Sequence, residues 1–330
     1  MKVLLIGGEG YIGKVVSDYL INKSNYVISY DNLIYGQNNK LDQDNFKFIK
    51  GDIADQKKLI KVLEKVDHVV MLVGLVGDPI TKKYPIESNL INIKYLKNII
   101  KNIYQLNIKK LIFISTCSNY GLINENDEAD ENFELNPLSL YAKSKVEIEK
   151  YLTNNKDNNT ETTILRFSTA FGLSPRMRFD LTINEFVREM YVNRSISVFD
   201  EDTWRPYCHT YDFARAIWRV LKEKTKICKN QIYNVGSSNN NYSKRMIVEK
   251  ILKRVPSAKV SYKEKGQDRR NYKVNFNKIK KEIGFNTKFT IDDGITEILN
   301  VLKEGKFLSI NKTNNLYGNY TINYNHEKFN

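Results

Sequence analysis

The first half of the chain alternates short apolar blocks with longer stretches whose apolar residues recur every three or four positions. "KVLLI" (Lys2–Ile6), "YVISYD" (Tyr26–Asp31), "FKFIKGD" (46–52), "VDHVVMLVG" (66–74), "KKLIFIST" (109–116) and "ETTILRFS" (161–168) read as strands bounded by turn residues. Helical spacing fills the intervals at Tyr11–Ile21, 55–64, 85–105 and 139–152. Strand alternating with helix predicts an α/β fold with a doubly wound parallel sheet covered on both faces. After Arg166 the rhythm changes. The loop "FGLSPRMRFD" leads into a helix over 181–191, and short strands ("SISVF", "QIYNVG", "KVSY") then alternate with helices at 211–223, 243–254 and 291–303. We expect a doubly wound domain over 1–166 and a smaller mixed α/β domain over 167–305. No Pro/Gly linker separates them, so they should pack closely around a cleft, with some exchange of chain between them. The tail over 306–330 is rich in Asn and Tyr, and its pattern does not decide where it lies.

Composition narrows the class. Of 330 residues, 41% are apolar and 27% charged, the balance of an ordinary globular protein. The longest apolar runs are too short to span a bilayer, so no membrane partner is expected. The apolar N-terminus runs into a glycine turn rather than a cleavage site. The three cysteines, Cys117, Cys208 and Cys228, are scattered, which predicts no metal site, no disulfide scaffold and a reducing cytoplasm. A formal charge of +14 raises the question of a polyanionic partner. The basic residues are spread along the chain, however, and no aromatic-lined basic strip is visible, so nucleic acid is not an expected partner.

The glycine turn carries the first chemistry. "GGEGYIG" places Gly7, Gly10 and Gly13 directly after a strand and at the head of a helix. Gly7 permits the tight turn, Gly10 a close approach to a pyrophosphate, and Gly13 close packing of helix on strand. Tyr11 and Ile12 open that helix, whose N-terminus presents free N–H groups to phosphate. Asp31 ends the second strand, where a carboxylate accepts from adenosine ribose hydroxyls and repels a 2′-phosphate; this favours NAD over NADP. Asn32 lies beside it. Asp52 and Ile53, in "GDI" after the third strand, are placed for the adenine.

With "YDN", "STCSNYG", "YAKSK", "LRFSTAFG", "RPYCHTYD" and "YNVGSS", these motifs resemble the extended short-chain dehydrogenase/reductase family, specifically its nucleotide-sugar epimerases and dehydratases. The likeness covers about residues 1 to 305. "SPRMRFDLTINEF" is similar to a narrower branch, often labelled UDP-glucose 4-epimerase and akin to enzymes that oxidise C4 of nucleotide-activated heptoses for surface polysaccharides. The resemblance implies a Rossmann fold, bound NAD, and a nucleoside diphosphate sugar (UDP or GDP) in the interdomain cleft. It also implies a homodimer through the helices over 89–105 and 141–152; Ile93, Leu96, Ile100, Val146 and Ile148 there fit core or interface equally.

By the same likeness Thr116, Tyr141 and Lys145 form the catalytic set. Tyr141 and Lys145 share a helix face, since positions i and i+4 are neighbours. A free phenol, with a pKa of about 10, is a poor base at neutral pH. The Lys145 ammonium and a charged nicotinamide would favour the phenolate, which takes the proton of a sugar hydroxyl while hydride leaves the same carbon. Thr116 would fix that oxygen, and Lys145 would also hold the nicotinamide ribose. On the substrate side the resemblance points to Asn89, Ser168, Arg176, Arg178, Arg205 and Asp268 with Arg269 or Arg270; an arginine fork suits phosphate oxygens. His209 reads as structural, able to orient Arg205. In relatives that eliminate water the two positions after the threonine are an Asp-Glu pair. Here they are Cys117 and Ser118, and Cys117 reads as a buried, inert thiol. The expectation is therefore a 4-epimerase with a transient 4-keto sugar, then a net nucleotide-sugar 4-dehydrogenase, then a 4,6-dehydratase. A non-catalytic NAD-sensing regulator is the rival outside enzymes; such proteins lose the Tyr or Lys that this chain keeps.

Overall fold

The computed structural model describes residues 1–36, 43–106, 108–124, 126–155, 159–264, 270–310 and 314–325. Twelve strands follow in chain order among these residues: β1 Lys2–Ile6, β2 Tyr26–Asp31, β3 Phe46–Lys50, β4 His68–Met71, β5 Lys110–Thr116, β6 Glu161–Phe167, β7 Thr169–Phe171, β8 Ser195–Phe199, β9 Trp204–His209, β10 Gln231–Val235, β11 Asn241–Ser243 and β12 Lys259–Lys263. Seven form one sheet in the order β10-β6-β5-β4-β1-β2-β3, and every pairing in it is parallel. Of its strands, β4, β5 and β6 are buried along their whole length. Helices on both faces leave no wet side, which is why these strands read as continuous apolar runs. One face buries Leu20, Phe213 and Ile217 from the helices Tyr11–Ile21 and Thr210–Lys222. The other buries Leu59, Leu96, Ile99 and Ile148 from Gln56–Leu63, Tyr95–Gln105 and Leu140–Asn154. The Rossmann-type doubly wound sheet expected from the sequence is thus present.

The smaller part holds a three-stranded sheet, β11-β9-β7, and a parallel pair, β12-β8. Phe171, Ile183, Val187, Ile247, Ile295 and Leu299 form its core. Three details differ from the expectation. "QIYNVG" does not join the smaller sheet: β10 pairs in parallel with β6 and extends the large one, with Tyr233 and Val235 fully buried. β9 was not foreseen, because "WRPYCH" carries a proline and polar residues; it survives because β7 and β11 flank it. The helix over 85–105 is not continuous. It starts as Pro85–Asn89, widens into a π turn at Leu90–Lys94 and resumes at Tyr95–Gln105. Leu96, Ile100, Val146 and Ile148 are buried within this single chain, and only Ile93 of the five positions weighed for an interface is half-buried. Among the described residues no helix is long and apolar enough to cross a membrane.

Candidate active site

One cleft of about 1170 Å³ opens at the C-terminal ends of the parallel strands, between the large sheet and the smaller part. Open α/β sheets bind ligands at this edge. The volume exceeds the roughly 300–1,000 Å³ usual for a single small ligand.

The glycine turn forms the floor at one end. Gly7 has φ +86°, and a Cβ there would lie 2.7 Å from the Val73 nitrogen. A Cβ on Gly13 would lie 2.6 Å from the Gly8 carbonyl. The protein's own packing therefore demands both glycines. Gly10 differs: a Cβ would meet nothing closer than 3.5 Å. Nothing in the chain crowds that position, and its bare backbone faces the cleft, open to the close approach of a pyrophosphate. Gly10 also begins the helix Tyr11–Ile21 with no side-chain cap, leaving the first turn to the cleft, where Tyr11 and Ile12 stand. The Tyr11 hydroxyl turns away and donates to the Gly172 carbonyl (2.5 Å), pinning this helix to the smaller part. Asp31 lines the cleft and accepts from the Glu9 and Leu33 nitrogens (3.1 and 2.8 Å). Burial raises its carboxyl above the usual range, and those two backbone bonds oppose the shift. These residues fit NAD: a glycine cradle for pyrophosphate, and a carboxylate where a ribose diol would sit.

Asp52 follows β3, and its carboxylate is already engaged within the protein. Gly51 and Ile53 line the cleft, but the Asp52 carboxylate is held by the Asn32 amide (2.7 Å), the Ala54 nitrogen (2.8 Å) and the Tyr324 hydroxyl (2.9 Å). Sequence reading also missed Glu9. Its buried carboxylate accepts from Ser29 Oγ (2.6 Å) and pairs with Lys14 (2.5 Å), tying the glycine turn to β2. Its place inside the fingerprint was the only signal.

Thr116, Tyr141 and Lys145 all line the same cleft. Thr116 ends β5, and its Oγ1 caps the following turn by accepting from the Ser118 nitrogen (3.1 Å). Tyr141 and Lys145 lie on the helix Leu140–Asn154, started by Ser139, whose hydroxyl accepts from the Ala142 nitrogen (3.2 Å). Lys145 Nζ donates to the Ile114 carbonyl (2.8 Å) and lies 5.9 Å from the centre of the Tyr141 ring. Burial pulls the ammonium down to about 8, against the opposing pull of Glu149. Burial also dominates at Tyr141, pushing the phenol up; Asp78 adds to this, and Arg178 and Arg270 oppose it. The expected lowering by Lys145 does not show in the protein alone: burial sets the direction, and the cations that oppose it are Arg178 and Arg270.

Cys117 is fully buried and turned into the core, its thiol donating to the Arg166 carbonyl (3.3 Å), and burial pushes it up. Ser118 faces the cleft, 3.3 Å from the Tyr272 hydroxyl, and accepts from Arg270 Nη1 (3.0 Å). Arg270 also pairs with Asp78 (3.1 Å). Arg205 lines the cleft and donates to the Arg270 carbonyl. Asp268 and Arg269 lie outside the described residues. Ser168 lines the cleft and donates to the Val235 carbonyl (2.8 Å). Arg178 holds Asp180 through two bonds (2.9 and 2.6 Å), while Arg176 reaches the C-terminal segment. Asn89 is exposed and does not line the cleft. The π turn carries Asn92 inward instead, where its amide accepts from the Leu75 nitrogen (2.8 Å) and donates to the Leu75 carbonyl (3.0 Å). His209 does not orient Arg205. Its Nδ1 accepts from the Tyr211 nitrogen (3.1 Å), so Nε2 is the donor to Glu297 (2.7 Å).

Comparison with known proteins agrees with this geometry. The model of the NAD dependent epimerase/dehydratase family matches residues 3–236. The chain is 28% identical over 271 residues to a UDP-glucose 4-epimerase of Lactobacillus helveticus, covering 77% of this chain and 81% of that protein. It is 27% identical to a UDP-glucuronate 4-epimerase of Thermodesulfobacterium geofontis over 91% of this chain and 96% of the relative. The crystal structure of a Thermotoga maritima UDP-glucose 4-epimerase with UDP-glucose shares the fold, with a TM-score of 0.83 at 23% identity over 92% of this chain and 99% of that one. A match that takes in the glycine cradle, the whole Thr116–Tyr141–Lys145 region and the last strand of the sheet leaves one conclusion: the chain belongs to the NAD dependent epimerase/dehydratase family and is an NAD-dependent enzyme.

Proposed function

We propose that this enzyme oxidises C4 of a nucleoside diphosphate sugar and returns the hydride to the opposite face, a 4-epimerisation with a transient 4-keto sugar. Bound NAD supplies the hydride acceptor and a positively charged ring. Tyr141 takes and later returns the hydroxyl proton. Thr116 orients that hydroxyl. Lys145, anchored on the Ile114 carbonyl, holds a cation near the phenol and within reach of a ribose. Arg205 and Arg270, at the other end of the cleft, suit a diphosphate. Named relatives that act on UDP-sugars favour UDP as the nucleotide.

The observation that carries the choice of reaction is the pair after Thr116. Elimination of water needs an acid and a base beside C5 and C6. The Cys117 thiol is turned into the core, and Ser118 is engaged by Arg270 and Tyr272. Epimerisation needs only the alcohol–ketone step on both faces.

The test is to incubate the protein with UDP-, GDP- and dTDP-sugars in deuterated water and follow the products by NMR. Inverted C4 without isotope uptake is expected. Deuterium at C5 with a lost hydroxyl would establish a dehydratase instead, and free ketose with stoichiometric reduction of added NAD a net dehydrogenase. We further propose a division at about residue 166 into cofactor and substrate parts. We also propose a cytoplasmic homodimer formed through the outer sides of the helices Tyr95–Gln105 and Leu140–Asn154, which sedimentation would test.

A further inference from the structure

The C-terminal segment 314–325 crosses the mouth of the cleft and bonds to both of its lips. On the lip formed by the loop 174–180, the Phe179 nitrogen donates to the Tyr317 carbonyl (2.8 Å) and the Asn319 nitrogen to Asp180 (3.2 Å). Arg176 Nη2 donates to the Gly318 carbonyl (3.2 Å) and to Asn319 Oδ1 (2.8 Å). On the sheet lip, Lys83 donates to the Tyr320 carbonyl (3.4 Å) and the Tyr324 hydroxyl to Asp52 (2.9 Å). Asn315 shapes the turn between, accepting from the Tyr320 and Thr321 nitrogens, both at 3.0 Å. Asn319 and Tyr320 face the cleft itself.

Arg176 shows what this arrangement serves. It is 3% exposed, lines the cleft, and gives its side-chain hydrogen bonds to two neutral oxygens of the segment. No carboxylate among the described residues forms an ion pair with it. A buried guanidinium with no carboxylate in direct contact is costly. Burial, and after it the neighbouring Arg178, pulls it down to about 10. An anion entering the cleft would relieve both effects. Two cleft-lining ligands could bring one, a dinucleotide or a nucleoside diphosphate sugar. The surroundings favour the first. Arg176 lies 5.1 Å over the ring of Tyr35, four residues beyond β2, and feels the charge of Asp180 and after it of Asp31, which ends β2 beside the glycine cradle. Arg205 and Arg270 stand apart with Tyr272 and Ser118.

We propose that Arg176 and the segment 314–325 complete the cofactor site: Arg176 clamps the pyrophosphate of NAD, and the segment, latched by Tyr324 on Asp52, holds the cofactor in the protein from one turnover to the next. The retention serves the epimerase reading, in which the same cofactor returns its hydride; the binding itself does not depend on that reading. Arg176 thereby moves from the substrate to the cofactor, and the Asp52 carboxylate from the adenine to the latch.

Binding measurements test this without turnover. NAD, ADP-ribose and UDP are titrated by calorimetry into the wild type, Arg176→Ala and Tyr324→Phe, and into a chain ending at residue 313. NAD dissociation is followed by trapping. We expect Arg176→Ala to weaken NAD and ADP-ribose by about tenfold or more, the scale of a lost hydrogen bond to a charged group, with UDP unchanged. Tyr324→Phe and the shortened chain should release NAD about tenfold faster or more. Tyr324→Phe removes one oxygen, so it answers the question even if the shortened chain fails to fold. Lost UDP binding with NAD unaffected in Arg176→Ala would assign that residue to the substrate and overturn the clamp. An unchanged NAD release rate in Tyr324→Phe would overturn the latch. Neither result touches the NMR product assay, so the two readings stand or fall separately.

Discussion

Glu149 offers the sharpest test of how the helix Leu140–Asn154 is held. It lies one turn beyond Lys145 and is 3% exposed. Its carboxylate accepts from Arg166 Nε (3.1 and 3.2 Å), Arg166 Nη2 (2.7 Å), the Asn119 amide (2.8 Å) and the Ser115 hydroxyl. Arg166, on β6, is equally buried at 3% and reaches on to the Tyr120 hydroxyl (3.0 Å). Glu149→Gln keeps the shape and removes the charge. It leaves the guanidinium buried without its counter-ion and turns an NH₂ toward existing donors. Removing one partner of a buried pair costs about 3–5 kcal/mol. A second effect falls on Lys145, whose pKa Glu149 raises. Burial sets that pKa at about 8, below the ordinary 10.5. Between those values the unfolded chain keeps a proton that the folded chain has lost. Stability therefore rises with pH across the window, and the cost of burying the ammonium is fully present below about 8. Without Glu149 that cost grows and the window opens at lower pH. Urea unfolding should show the variant less stable by about 3–5 kcal/mol at neutral pH, with a smaller gap near pH 9.5, where Lys145 is neutral in both proteins. A neutral-pH loss under about 1 kcal/mol would refute the buried network, and equal gaps at both pH values would refute its coupling to Lys145.

Three further outcomes are expected. Tyr141→Phe should lower kcat by about 10²–10⁴ while leaving NAD binding by calorimetry nearly unchanged, since only the oxygen proposed to transfer the proton is lost. Gly7→Ala should destabilise by about 1–3 kcal/mol in denaturant melts and weaken NAD, because φ is +86° there and the new Cβ meets the Val73 nitrogen at 2.7 Å. All three cysteines are buried, and burial pushes their thiols up, Cys228 to about 12, so a thiol reagent should find none in the native protein and three after unfolding.

The sequence by itself determined whatever depends on near neighbours along the chain. β1, the glycine turn and the helix after it, the hydroxyl at the end of β5, and the Tyr141–Lys145 face are each specified within a few residues by steric need or helical period. The physics there is local: Gly7 needs a positive φ, Gly13 contacts the turn a few residues back, and i,i+4 spacing brings a phenol and an ammonium together.

Only the tertiary structure decided the rest, because those contacts join distant segments or turn on the rotation of a helix. β10 enters the large sheet beside β6 across more than sixty residues of chain, by a pairing no local pattern specifies. The π turn at Leu90–Lys94 carries Asn92 inward and leaves Asn89 in solvent, although both are asparagines on one helical stretch. Whether burial or a neighbouring charge governs the Tyr141 phenol depends on how deeply it sits, and depth is a property of the packed molecule. Tyr324 meets Asp52 across 272 residues, and that contact turns an unpatterned Asn/Tyr-rich tail into the far wall of the cleft.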